Sequence, residues 1–145
     1  MTEEMTYDTL DQPTQEDLRS IDRGLHHYNL EHLGEAVIND YHKLAVVARD
    51  SEGVVRGGVH GDVAWQWLHI ETLWVDAVWR GRGIGSALLQ RIETQAVEKG
   101  ARGSHLETTS FQALEFYRRH GYEVFGELEG KPQGVTWYYM KKSLE

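Results

Sequence analysis

Residues 73–86 read LWVDAVWRGRGIGS. Leu73, Trp74 and Val75 end an alternating run that predicts a strand from Trp65. Arg80, Gly81, Arg82, Gly83 and Gly85 then fall in a loop. From Ile84 to Lys99 the spacing predicts a helix. Ile84, Leu88, Ile92 and Ala96 recur four apart, Leu89 widens the stripe, and Gly100 closes it. Three glycines leave backbone N–H groups unshielded, and the helix N-terminus aims its partial positive charge at the same place. Arg80 and Arg82 add two fixed charges. This strand, loop and helix suit a pyrophosphate, held by the backbone of residues 81–86, Ser86 included, with Arg80 or Arg82 on the phosphates.

The glycine spacing sorts the possible phosphate loops. No Lys follows the glycines, so nothing reaches the outer phosphates as in a Walker loop. Gly81, Gly83 and Gly85 alternate, which breaks the Gly-x-Gly-x-x-Gly dinucleotide fingerprint at its third glycine. What remains is Arg-x-x-Gly-x-Gly, carried by Arg80, Gly83 and Gly85 directly after an apolar strand. This resembles the coenzyme A loop of the GNAT N-acetyltransferase superfamily. A second stretch, SFQALEFYRRHGY at residues 110–122, resembles that family's last helix, where a tyrosine precedes a Gly-Phe/Tyr turn. Ser110 stands where the family often has Asn. The resemblance spans roughly residues 40–143. It implies an α/β (α+β) fold with a mixed, mostly antiparallel central sheet and helices on both faces. It also implies acetyl-CoA as co-substrate, Tyr117 as general acid, and an acid on the coenzyme-flanking strand that activates the amine, sometimes through water.

Composition adds limits. With 145 residues, 40% hydrophobic and 26% charged, the chain suits one domain, residues 1–145, with a sizeable core. Without cysteine it has no disulfide, thiolate metal site or thiol nucleophile. No apolar run is long enough for a membrane span, and the acidic, polar start is unlike a secretory signal, so a cytoplasmic protein without membrane partner is expected. A formal net charge of −8 disfavours nonspecific nucleic-acid binding and suits a cationic acceptor.

Other elements follow from pattern. Residues 5–10 suggest a short strand. Gln15 to Leu33 reads as a helix, with Thr14 as cap and Gly34 as stop. Leu44 to Ala48 is an unbroken apolar run suited to an interior strand. Residues 50–53 form a turn before a strand from Val54 to Val63, in which Gly57, Gly58 and Gly61 suggest a bulge or close backbone approach. A strand is expected at 103–108, a helix at 110–120 with Thr109 and Gln112 at capping-box spacing, and strands at 122–127 and 135–141. For most of the tryptophans, core or dimer packing is expected, a homodimer being one option.

The chemistry narrows the catalytic candidates. An alkyl ammonium has a pKa of about 10, so attack on a thioester needs a base or a relaying water. The departing thiolate benefits from an acid, which a tyrosine hydroxyl supplies. Glu71 is the candidate base, placed by simple alternation on one strand face with His69, Leu73 and Val75. His69 is the alternative base, and Tyr117 the acid. His26, His27 and His32 contain no His-x-x-x-His pair, so no metal is expected there or elsewhere. By the resemblance, that region forms a wall of the acceptor cleft. The functional expectation is N-acetyl transfer from acetyl-CoA to an amine of a small molecule or peptide, by direct attack in a ternary complex. The alternative is a catalytically silent acyl-CoA-binding module.

Overall fold

The computed structural model describes residues 3–145 and divides into two compact units, one up to Asn39 and one from Asp40 to Glu145. The first unit holds helices α1 (Gln15–Leu33) and α2 (Glu35–Ile38). Helix α1 has the expected bounds. The Thr14 hydroxyl accepts from the Asp17 backbone N–H at 3.1 Å, and the Gly34 N–H bonds back to the Leu30 carbonyl at 2.9 Å. Residues 5–10 are not a strand. Met5, Tyr7 and Leu10 are exposed there, and an extended segment without ladder partners has nothing to hold it.

The second unit is a six-strand sheet with two helices. Its elements are β1 (Tyr41–Arg49), β2 (Val55–Ala64), β3 (Trp67–Val75), α3 (Ile84–Glu98), β4 (Gly103–Thr109), α4 (Leu114–Arg119), β5 (Glu123–Glu129) and β6 (Thr136–Ser143). The spatial order is β1-β2-β3-β4-β6-β5, and every neighbouring pair is antiparallel except β3 and β4. A parallel pair needs a long crossover, and α3 supplies it.

One sheet face carries the core. Leu44, Val59, Val63, Leu68, Ile70, Leu106 and Met140 pack with Leu88, Leu89, Ile92 and Ala96 of α3 and with Tyr117 and Tyr122. A polar network is buried here too. The Tyr122 hydroxyl lies 2.8 Å from both the Glu93 carboxylate and the Ser104 hydroxyl, and Lys142 Nζ donates to Glu93 at 2.9 Å. Glu93 thus meets a cation and a hydroxyl donor, as a buried charge requires.

Three expectations change. The apolar run of β1 lies at the sheet edge, not in its interior. It has one neighbour, so its burial alternates, and Val47 points outward. Helix α4 begins at Leu114 rather than 110, because Ser110 bonds Thr136 across the sheet. The Ser110 N–H donates to the Thr136 carbonyl at 2.9 Å, and its Oγ accepts the Thr136 N–H at 3.2 Å. Gln112 still caps locally, accepting the Thr109 N–H at 3.1 Å. Trp65, Trp67 and Trp74 are exposed, so the core half of the core-or-dimer expectation does not hold for them.

The glycines of β2 do what close approach requires. A Cβ on Gly61 would run into the His69 carbonyl, and one on Gly57 would lie 3.0 Å from the Trp74 carbonyl oxygen. A bulge falls at the same place. His60 pairs Thr72 while Gly61 pairs Ile70, so Glu71 is the extra residue on β3.

Candidate active site

The bulge and the end of β3–β4 pairing build the site together. The two strands are paired only from Trp67–Gly103 to Ile70–Leu106. Beyond this β3 runs on to Val75 along β2, β4 runs on to Thr109 along β6, and the two diverge. An open cleft of about 570 Å³ lies where they part. Leu73, Trp74 and Val75 line one side, Phe111, Gln112, Ala113 and Phe116 the other, and the loop from Arg80 to Ser86 closes its end.

The bulge also overturns the simple alternation of β3. Leu68 and Ile70 are buried ahead of it; behind it the half-buried residues are Leu73 and Val75, so the core-facing phase shifts by one at Glu71–Thr72. Glu71 therefore does not share a face with Leu73 and Val75. Its carboxylate stays with His69 and Asp62, the three donor atoms lying within 4.8 Å of one another. It is also 3.7 Å from His60 Nδ1, and it is half exposed.

The loop is held from several directions. Gly81 and Gly83 have φ of +77° and +80°, and Gly83 is the N-cap of α3. No atom lies within 4 Å of a Cβ at either position, so it is the left-handed backbone that calls for glycine there. At Gly85 space decides, since a Cβ would touch Phe116 at 3.4 Å. Arg80 Nε donates to the Val75 carbonyl at 3.1 Å and ties the loop to β3. The Arg82 guanidinium sits 4.7 Å from the Trp79 ring centre and is not among the cleft-lining residues. Ser86 lines the cleft, its Oγ 2.9 Å from His120 Nε2.

Tyr117 lies under the cleft rather than on its wall. Its ring meets Phe116 and Tyr122 edge-on, with centroids 5.2 and 5.8 Å away. Burial pushes its hydroxyl pKa from 10.0 up to about 12. His69 Nε2 is 2.8 Å from Glu107, and its ring stacks on His105 at 4.6 Å. Burial and the neighbouring His69 lower the His105 pKa.

Sequence reasoning missed several residues. Trp79, Phe111, Phe116 and Arg119 line the cleft, and His120 partners Ser86. Arg119 and His120 were legible as neighbours of the Tyr117 motif, but not their direction. Asp62 and Glu107 reach His69 only through strand pairing. The Thr109 hydroxyl, at the free end of β4, is buried and has no partner in the protein.

A family model of the GNAT acetyltransferase domain matches residues 40–124, which include the diverging strands, the loop and α4. The chain belongs to the GNAT acetyltransferase family. Blasticidin-S acetyltransferase of Streptomyces morookaense is 45% identical over 69% of this chain and 74% of its own length. The crystal structure of an acetyltransferase from Bacillus cereus superposes with a TM-score of 0.87, is 36% identical, and covers 94% of this chain and 97% of that one. A third likeness is of fold alone. The structure described as a streptothricin acetyltransferase from Bacillus anthracis, in complex with acetyl coenzyme A, is 23% identical with a TM-score of 0.65 over 77% of this chain and 70% of that one. The GNAT family uses acetyl-CoA, and this chain is an acyltransferase. The silent binding module is thereby set aside. Among the described residues no helix is long and apolar enough to cross a membrane.

Proposed function

We propose that this enzyme transfers the acetyl group of acetyl-CoA to the amine of a cationic small molecule, by direct attack in a ternary complex. The observation that carries the proposal is the cleft itself. It brings Leu73–Val75, the 80–86 loop and the segment before α4 around one space where β3 and β4 part. In this reading the pyrophosphate meets the backbone N–H groups of residues 81–86, with Arg80 or Arg119 as counter-charge, and the pantetheine arm runs along the free edge of Leu73–Val75.

Tyr117 holds its proton at neutral pH as any phenol does, and burial widens that margin; next to Phe116 of the cleft wall, it would be the acid that protonates the leaving thiolate. Glu71 takes the proton of the incoming ammonium, directly or through a water. The bulge presents its carboxylate away from the core, beside Asp62 and His69. The half-exposed Glu71 carboxylate, in a chain of net charge −8, favours a cation. Similarity to a blasticidin-S acetyltransferase makes an amino-bearing antibiotic the first acceptor to test.

The test is thiol release from acetyl-CoA with blasticidin S and a panel of simple amines, the products read by mass spectrometry. Acetylation of a cationic amine, lost in Tyr117→Phe with acetyl-CoA binding retained, is the expected outcome. Thiol release that no amine accelerates would overturn the acceptor assignment. Unaltered turnover in Tyr117→Phe would remove that residue from the mechanism.

A further inference from the structure

The sheet face opposite α3 carries a row of ionisable side chains whose spacing is set by strand register. Asp62 of β2 pairs with His69 of β3, and His69 pairs with His105 of β4. Neighbouring strands lie about 4.8 Å apart, so side chains in such a row stand one strand spacing from each other. Glu107, two residues after His105, returns to the same face and meets His69 Nε2 at 2.8 Å. The His69 and His105 rings are nearly parallel, at 13°. The donor atoms of His69, His105 and Glu107 all lie within 4.8 Å of one another, and all three residues are half-buried. A second set, Asp62, His69 and Glu71, has the same spread. The sets share His69, so together they offer one ion position, not two.

We propose that His69, His105 and Glu107 bind a transition-metal dication of the zinc type, with Asp62 or a water completing the coordination. Two imidazoles and a carboxylate suit zinc, whereas magnesium and calcium favour all-oxygen shells. Zinc bonds of about 2.0–2.2 Å set tetrahedral donors about 3.4 Å apart. From donors within 4.8 Å, closing the set requires the stacked His69 and His105 rings to turn out of parallel so that both aim a nitrogen at one ion, and the His69–Glu107 contact opens slightly. The backbone stays in place, held by the ladder. The ion would clasp β3 to β4 at their last paired registers, where the cleft begins. No helical spacing betrays the site, because its ligands come from two strands separated by the α3 crossover.

The test uses the full chain without a purification tag, stripped with chelator. Zn²⁺ is titrated by calorimetry, and Co²⁺ is added to read coordination by visible absorption. The expected result is one equivalent of Zn²⁺, a tetrahedral Co²⁺ spectrum and a raised melting temperature. His105→Gln and Glu107→Gln should each weaken binding at least tenfold, while metal-free melting and acetyl-CoA affinity stay near those of the parent. A variant with His26, His27 and His32 all changed to Gln should bind as the parent does. Absence of one-equivalent binding, binding that survives both sheet substitutions, or binding lost only in the α1 variant would each overturn the proposal.

Discussion

From Trp67 to Ile70, β3 is paired on both sides. From Glu71 to Val75 it keeps only β2. The residue types are alike in the two halves, yet the first buries Leu68 and Ile70 almost completely while the second leaves Leu73 and Val75 half-exposed beside a cleft. The difference is not one of propensity. An unpaired strand edge is ordinarily a liability in a sheet, because its N–H and C=O groups seek partners. Here the edge is turned toward an open cleft, and the bulge at Glu71 separates the structural half from the open one. Pairing, rather than side-chain chemistry, decides which part of the strand builds the core and which part is free to bind.

The sharpest way to break this comparison is at the open end. Tyr117→Phe should lower kcat by about 10²–10⁴-fold, the usual worth of general acid–base catalysis, and leave acetyl-CoA affinity within a few-fold. Steady-state kinetics beside calorimetry separate the two. At the paired end, Leu68→Ala should cost about 2–5 kcal/mol of stability, as core truncations do, with acetyl-CoA affinity intact in the folded fraction. Denaturant unfolding and calorimetry would show it. If Leu68→Ala instead altered coenzyme affinity without altering stability, the two halves would not be distinct.

A smaller effect is expected in the loop. Gly83→Val places a β-branched residue at a left-handed φ, a strain of about 1–2 kcal/mol, and adds bulk where a phosphate would approach. Acetyl-CoA Kd should rise about tenfold or more while the melting temperature falls by only a few degrees. Glu71→Gln keeps shape and removes charge, and its rate loss should be greatest with the most basic amines. Equal loss across amines of different basicity would make Glu71 a positioning group, and no loss would turn attention to His69. The smallest effect concerns alkaline pH. The Tyr117 pKa is raised from 10.0 to about 12 in the folded chain, so its contribution to stability is full below pH 10 and fades as pH climbs toward 12. Melting temperature followed over that range should fall less steeply in Tyr117→Phe than in the parent.

Local signals were strong where the structure is local. Thr14 and Gly34 bound α1, the α3 stripe appears as Leu88, Leu89, Ile92 and Ala96 in the core, and Gly81 and Gly83 take the backbone conformations their loop needs. The 80–86 loop and the stretch around Tyr117 could be located for the same reason: each is contiguous and rests on a helix end and a few residues. The phase of β3 could not be read. Alternation assumes an unbroken ladder, and the extra residue at Glu71 exists only because β2 brings Gly61 against the His69 carbonyl. Nor could the edge position of β1, since an apolar run does not say how many neighbours it has.

The sequence by itself determined the glycine loop, the family and the helix that carries Tyr117, because these reside in short stretches whose backbone geometry their own glycines and helix patterns dictate. Only the tertiary structure decided that Glu71 faces Asp62 and His69 rather than Leu73, that His69 meets Glu107, and that Arg119 borders the cleft. Those neighbours are set by strand register and by where pairing stops, and both depend on contacts between residues far apart in the chain.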